Sequence, residues 1–249
     1  MTILVTEIHA PLDLTKATIV FVADSKVTSN GKHHSQCAKI LKVPYLRAAV
    51  GFFGLAEING ESTASYLNNF ITRNTSITEL GKWAHALKDS LAASIGRTVL
   101  SANRIGLHFC GFNKDDLPEF WFLTNIPGME GHLYSAPLPE IAIKEHFLTS
   151  DIQAHLENGA TNKLKEPMHQ VYRNGDPRVH GYATIIDDLI RGLLQHNDFR
   201  KPRAVKDYLE IVKMKMEIMC KIYSTLAINS CIGTPIKAFA FNKRKGFIE

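Results

Sequence analysis

Short apolar runs dominate the first quarter of the chain and predict strands. The runs at 2–8 and 18–23 flank the turn-forming segment 11–14, so they predict a hairpin. Two more runs, at 37–43 and 46–53, are separated by a Pro-Tyr pair. The proline fits a connection because it has no amide hydrogen to donate to a sheet. The chain therefore begins with four predicted strands.

Apolar residues repeat every three or four positions in the later segments, which indicates helices. The predicted helices are 61–71, 76–95, 141–158, 180–195 and 204–226. A capping-box pattern begins the second of these at Ser76, with Glu79 three residues on. Strand-like runs follow at 105–112, 119–124 and 232–241, and the first two predict another hairpin.

Helices in blocks between blocks of strands argue against a parallel sheet with alternating crossovers. The order predicts an α+β fold instead: a four-layer αββα sandwich of two antiparallel sheets with helices outside, in a single domain over 1–249. The polar segment 159–178 has no periodicity and is interpreted as a mobile insertion. The basic tail 242–249 is the other segment expected to be poorly ordered.

Composition and charge argue against two classes of partner, nucleic acids and membranes. The 249 residues are 45% hydrophobic and carry a net charge of +5, with no dense basic run before the tail, so no nucleic-acid partner is expected. No secretory signal follows Met1, and no apolar run is long enough to cross a bilayer. We therefore expect a cytoplasmic protein with no membrane partner.

Neither cysteine nor histidine spacing predicts a metal or a cofactor. The four cysteines are far apart and form no CxxC pair. The doublet His33-His34 has no further ligand at a usable spacing. The expected site therefore contains no metal and no cofactor.

Candidate chemistry lies on the first strands. If the first hairpin turns at Asp13, Thr2 lies opposite Asp24, and Lys39 follows on the next strand. A threonine at the chain start, an acid and a lysine form a plausible nucleophile site. Gly51 interrupts an apolar run. That interruption indicates either close approach of a ligand to the backbone or tight packing against a helix.

Three motifs occur in a fixed order: IVFVADSKVT at 19–28, Lys39-Ile-Leu, and AAVGFFG at 48–54. Together they resemble the proteasome β-subunit family of N-terminal nucleophile (Ntn) hydrolases, and most of all its bacterial proteasome-like peptidases. The closing run at 233–240 resembles the family's last strand. The order of elements matches over nearly the whole chain, whereas the sequence-specific part is confined to the first quarter. The resemblance implies the αββα fold and a threonine peptidase that needs no cofactor.

The resemblance also implies roles for individual residues. Removal of Met1 would make Thr2 the nucleophile, with its own α-amine as the base. Lys39 would keep that amine unprotonated, and Asp24 would hold Lys39 in place. The backbone N–H of Gly51 would donate to the oxyanion. Ala49 and Phe53 share its strand face and are the implied walls of the substrate pocket.

The same resemblance implies peptide or unfolded-protein substrates and a homo-oligomeric ring, and the sequence leaves open whether an ATPase is a partner. The family's later serine and aspartate helpers have no firm match, since Ser135 and Ser230 correspond only by loose position. Thr2, Asp24 and Lys39 are also compatible with an edge-strand residue, a turn cap and a solvated lysine. A second hypothesis is therefore a catalytically inactive proteasome-like subunit that acts in assembly or as a scaffold.

Overall fold

The computed structural model describes residues 3–29, 32–127, 136–144, 164, 166–175, 177–228 and 232–249. The strands in these residues are β1 (Ile3–Ala10), β2 (Thr18–Asp24), β3 (Lys26–Ser29), β4 (Lys32–Gln36), β5 (Ile40–Val43), β6 (Ala48–Gly54), β7 (Glu57–Ile58), β8 (Glu61–Ser62), β9 (Ile105–Phe112), β10 (Pro118–Thr124), β11 (Ala142–Lys144), β12 (Met168–Gly175) and β13 (Ile236–Asn242). The helices are α1 (Thr63–Arg73), α2 (Leu80–Ser94), α3 (Arg97–Ala102), α4 (Pro177–Gln195) and α5 (Val205–Leu226).

Two antiparallel sheets contain most of the strands. The first has the order β12-β1-β2-β13, and the second has the order β11-β10-β9-β6-β5. Two small ladders, β3-β4 and β7-β8, stand beside them. The fold is therefore a mixed α+β arrangement in which both expected hairpins, β1-β2 and β9-β10, are present.

Three buried apolar clusters fill the spaces between the layers of helices and sheets. The first lies between the two sheets and joins residues such as Leu4 and Phe21 of the first sheet to Phe120 of the second. In the second, α1 and α2 cover the outer face of the second sheet, where the rings of Trp83 and Phe109 stack 4.3 Å apart. In the third, α4 and α5 cover the outer face of the first sheet. This layering is compatible with the expected sandwich.

The segment 159–178 was wrongly interpreted as an insertion over much of its length. Met168–Gly175 forms β12 and pairs with the whole of β1, and α4 begins at Pro177. The strand gives no alternating pattern because its described residues are all partly or fully accessible rather than buried on one face. Residues 159–163 lie outside the described part.

The predicted helix at 141–158 is also wrong at its start. Ala142–Lys144 is the short edge strand β11, which pairs with β10, and 145–158 lie outside the described residues. The second helix begins at Leu80 rather than Ser76, and its N-cap residue Glu79 makes no side-chain capping bond. At β11, pairing with β10 overrides a local helical signal.

The tail at 242–249 is ordered against β13, contrary to the prediction. Ile248 forms a bridge with Ala240, and the ring of Phe247 lies 5.4 Å from that of Phe239. Lys243 Nζ donates to Asp116 Oδ2 at 2.7 Å. Separately, none of the helices in the described ranges is long and apolar enough to span a membrane.

A buried histidine links the two sheets. His108 Nδ1 lies 3.0 Å from Thr6 Oγ1, and its Nε2 lies 2.5 Å from Asn174 Oδ1. His108 belongs to the second sheet, and its two partners belong to the first. Burial lowers the pKa of His108 to about 4, even though the bond to Asn174 acts in the opposite direction.

We predict that His108 makes the fold sensitive to acid. The unfolded chain takes up this proton near pH 6.5, whereas the folded protein takes it up only near pH 4. Because the unfolded state binds more protons between these values, stability falls by about 3 kcal/mol as the pH drops from 6.5 to 4. Urea unfolding at several pH values, compared with His108→Gln, measures this contribution. Equal pH dependence in the two proteins would show that His108 does not cause it.

Candidate active site

A buried ion pair lies where β1, β2 and β5 come together. Asp24 ends β2 and is fully buried, and Lys39 directly precedes β5 with 3% of its surface exposed. Lys39 Nζ donates to Asp24 Oδ1 at 3.1 Å and also to the backbone oxygen of Lys26. The amide of Ile3 donates to the same Asp24 oxygen at 2.9 Å. The pair is thereby hydrogen-bonded to the beginning of β1.

Burial dominates the electrostatics of this pair. It raises the pKa of Asp24 and lowers the pKa of Lys39, and the attraction between the two charges opposes both shifts without cancelling them. Asp24 Oδ2 is buried and has no hydrogen-bond partner within the described ranges. The pair therefore combines a lysine whose pKa is lowered with a buried carboxylate oxygen that has no partner in the described ranges.

A cleft of about 480 Å³ is lined by Lys26, whose backbone oxygen accepts from Lys39, whereas neither Asp24 nor Lys39 lines it. Its walls come from the start of β3, from α5 and from the segment before β13: Lys26, Glu217, Cys220, Lys221, Ser224, Ile232, Gly233 and Thr234. Burial raises the pKa of Cys220 to about 12, with Asp24 contributing in the same direction, so this thiol stays protonated. The cleft is large enough to hold part of an extended peptide.

The pairing of the first hairpin differs by one residue from the prediction. Leu4 pairs with Ala23, so Ile3 rather than Thr2 is level with Asp24. The connection is longer than a turn at Asp13 allows, because Asp13 accepts from the Thr15 amide and starts a short 3-10 helix. The predicted register was therefore wrong.

The structure brings together two of the four predicted catalytic residues, Asp24 and Lys39. Thr2 lies outside the described residues, as do the loosely matched Ser135 and Ser230. The lysine is not solvated, and the aspartate caps no turn, since its described partners are Ile3 and Lys39. Both alternative interpretations of these two residues are therefore wrong.

Gly51, Ala49 and Phe53 are packed in the core between the two sheets. Gly51 pairs with Ile40 on one side and with His108 on the other, and a Cβ at Gly51 would lie 2.6 Å from Leu4 Cδ1. The close neighbour is thus the opposite sheet rather than a ligand or a helix. Ala49 and Phe53 are buried in the same core between the sheets, and the cleft is lined by other residues. We therefore do not carry Gly51, Ala49 and Phe53 forward as site residues.

Sequence reasoning missed a second polar group, on the face of β1 and β12 that packs against α5. Glu7 Oε2 lies 3.0 Å from His9 Nε2 and 2.8 Å from His169 Nε2. Lys215 Nζ donates to Glu7 Oε1 and, at 2.8 Å, to Asp187 Oδ1. The spacing of Glu7 and His9 along β1 was a usable signal, whereas His169 lay in the presumed insertion.

Electrostatics keep Glu7 ionised in this second group. Burial acts to raise the pKa of Glu7, but the His169 and His9 imidazoles close to its carboxylate and the charge of Lys215 outweigh burial, so this pKa lies well below its usual value. The pKa of His9 is lowered, chiefly by burial. A carboxylate and a neutral imidazole thus lie side by side at neutral pH.

Comparison with known proteins assigns no family to this geometry. No protein-family model matches the chain, and no curated protein matches it.

We predict that removing one member of the ion pair is more destabilising than removing both. Lys39→Met leaves the Asp24 carboxylate buried without its cation, which costs about 3–5 kcal/mol of unfolding free energy. The double variant Asp24→Asn/Lys39→Met removes both charges and should recover part of this loss. Urea unfolding of the wild type, Asp24→Asn, Lys39→Met and the double variant measures these costs.

Lys42→Met is the matched control. Lys42 lies on β5 and pairs with the exposed Glu249, so its loss should cost at most about 1 kcal/mol. If the double variant loses as much unfolding free energy as the two single variants lose together, the two residues are not coupled, which would contradict the prediction.

Proposed function

We propose that this chain is an Ntn amidohydrolase that cleaves peptide bonds with Thr2 as its nucleophile. The observation that carries the proposal is the bond from the Ile3 amide to Asp24 Oδ1, 2.9 Å long. Thr2 is covalently bonded to that amide, and Asp24 in turn holds Lys39. The layering of two sheets between helices agrees with the Ntn fold, which is part of the proposal.

The proposed chemistry uses groups with complementary tasks. The threonine hydroxyl is a weak nucleophile and needs a base. When Thr2 is the first residue, its α-amine has an ordinary pKa of about 7.7–8.0 and can take the hydroxyl proton. The Lys39 ammonium disfavours a charge on that amine, which keeps it available as the base.

In the first step the Thr2 oxygen adds to the substrate carbonyl carbon. The C–N bond then breaks, the departing amine takes the proton, and an ester remains on Thr2. Water hydrolyses this ester with the α-amine again acting as the base. Both steps, as proposed, use only groups of the chain, the substrate and water.

The charge pattern of the cleft supports a peptide substrate. Lys26 and Lys221 lie on its wall together with Glu217, so both signs of charge are available beside the backbone of Gly233. Backbone and side-chain groups of these kinds bind an extended peptide by hydrogen bonds and charge pairing. Assembly into a homo-oligomeric ring, with or without an ATPase partner, belongs to the same proposal.

We predict that Thr2 and Lys39 are required for turnover while Lys42 is not. Thr2→Ala removes the nucleophile, and Lys39→Met removes the charge that tunes the base, so each should lower kcat/KM by at least about 100-fold. Lys42→Met makes the same substitution at a nearby lysine that is not part of the ion pair. Its kcat/KM should stay within about 2-fold of the wild-type value. Hydrolysis of a library of fluorogenic peptides measures all four proteins.

Full activity in Thr2→Ala would exclude Thr2 as the nucleophile. If the wild-type chain hydrolyses no peptide, forms oligomers and resists acylation by a peptide β-lactone, the alternative of a catalytically inactive assembly or scaffold subunit replaces the proposal. Circular dichroism of each variant separates loss of chemistry from loss of fold.

A further inference from the structure

We propose that Glu7, His9 and His169 form a binding site for zinc or a similar divalent transition metal. Their ligand atoms all lie within 4.8 Å of one another. The site is separate from the proposed hydrolase site, since Glu7 is four residues along β1 from Ile3, roughly 13 Å in an extended strand. The inference does not depend on the proposed function.

Strand register places the three side chains on one face. His9 and His169 are directly opposite in the β1-β12 ladder, and Glu7 precedes His9 by two residues. Side chains two apart on a strand point to the same face, and directly opposite residues do so as well. The arrangement is therefore fixed by the backbone and does not rely on long, mobile side chains.

Both imidazoles turn the same nitrogen toward one carboxylate oxygen. The Nε2 atoms of His169 and His9 lie 2.8 and 3.0 Å from Glu7 Oε2, and the rings stack with centroids 4.3 Å apart. The His9 nitrogen is buried and has no partner with hydrogen-bond geometry in the described ranges. A buried nitrogen that faces an acceptor without a well-formed bond is suited to a metal ion between them.

The distances fit zinc with small adjustments. Zinc bonds of about 2.0–2.2 Å to nitrogen and oxygen separate tetrahedral ligands by roughly 3.3 Å. The Nε2 atoms of His9 and His169 each need to move only a few tenths of an ångström away from Glu7 Oε2 to reach that separation, and all three ligand atoms already lie within 4.8 Å of one another. Two histidines and one carboxylate form a common zinc set that leaves a fourth position open. Water can reach that position because the His169 side chain is 34% exposed.

Neighbouring residues hold the ligands in position. Lys215 occupies Glu7 Oε1, which leaves Oε2 as the single oxygen that faces the histidines. The Lys215 charge is itself balanced by Asp187, which also pairs with Arg173. The Tyr208 ring lies 4.6 Å from that of His9 and closes one side of the site. Such outer contacts orient ligands in known metal sites.

Zinc binding by the chelator-treated full-length protein tests the proposal. We expect the wild type to retain one zinc per chain after equilibration with zinc and gel filtration, as measured by elemental analysis. His169→Ala and the size-conserving His169→Gln should weaken zinc binding at least about 10-fold and abolish the zinc-dependent rise in Tm. His196→Ala is the matched control, because His196 forms an exposed pair with Asp198 at 3.3 Å. It should bind zinc like the wild type.

X-ray absorption at the zinc edge of the wild type gives a reading that does not depend on variant folding. We expect the spectrum to show zinc bound by two imidazole ligands, with oxygen atoms as its other ligands. It is overturned if the wild type binds no zinc, if both His169 variants bind it equally well, if His196→Ala loses it, or if the spectrum contains fewer than two imidazoles. The assay measures metal, so a failure of peptide hydrolysis leaves its outcome unchanged.

Discussion

The buried pair of Asp24 and Lys39 ties three strand ends of this molecule together. Removing two charges from water costs several kcal/mol for each ion, and a well-packed apolar pair would often stabilise a fold as well or better. Here burial shifts the pKa of both groups toward their neutral forms, so solvation loss outweighs their attraction. A costly buried pair close to a cleft, with one carboxylate oxygen that has no partner in the described residues, is better explained by chemistry than by stability. The proposed hydrolase function rests on this pair.

Elements that bury one continuous apolar face were predictable from the sequence. The strand β2 is buried throughout, and α5 carries its buried residues at helical spacing, so both were found close to their true bounds. The strands β11 and β12 were missed because they lie at sheet edges, where no one-sided burial marks the sequence. The register of β1 against β2 depends on the short 3-10 helix Leu14–Lys16 in their connection. This helix shifts the pairing by one residue, and composition alone does not predict it.

Residues of the candidate site could be predicted from the sequence only where their position relative to the predicted strands identifies them. The contact between Asp24 and Lys39 was predictable because the two residues lie at the end of one strand and directly before another. Gly51 could not be assigned from the sequence, because a glycine packed against Leu4 of the opposite sheet gives the same sequence signal as one that admits a ligand. The group around Glu7 joins β1 to a strand more than half the chain away. Its contacts exist only once β12 has paired.

The proposed mechanism requires Thr2 to be the first residue of the mature chain, because only then is its α-amine free to act as the base. Intact-mass spectrometry of the protein purified from its native host, before and after treatment with a peptide β-lactone, examines this requirement. The proposal predicts a chain that begins at Thr2 and gains the mass of one acyl group, located on Thr2 by peptide mapping. A mature chain in which Met1 still precedes Thr2, with no acylation at Thr2, would contradict it.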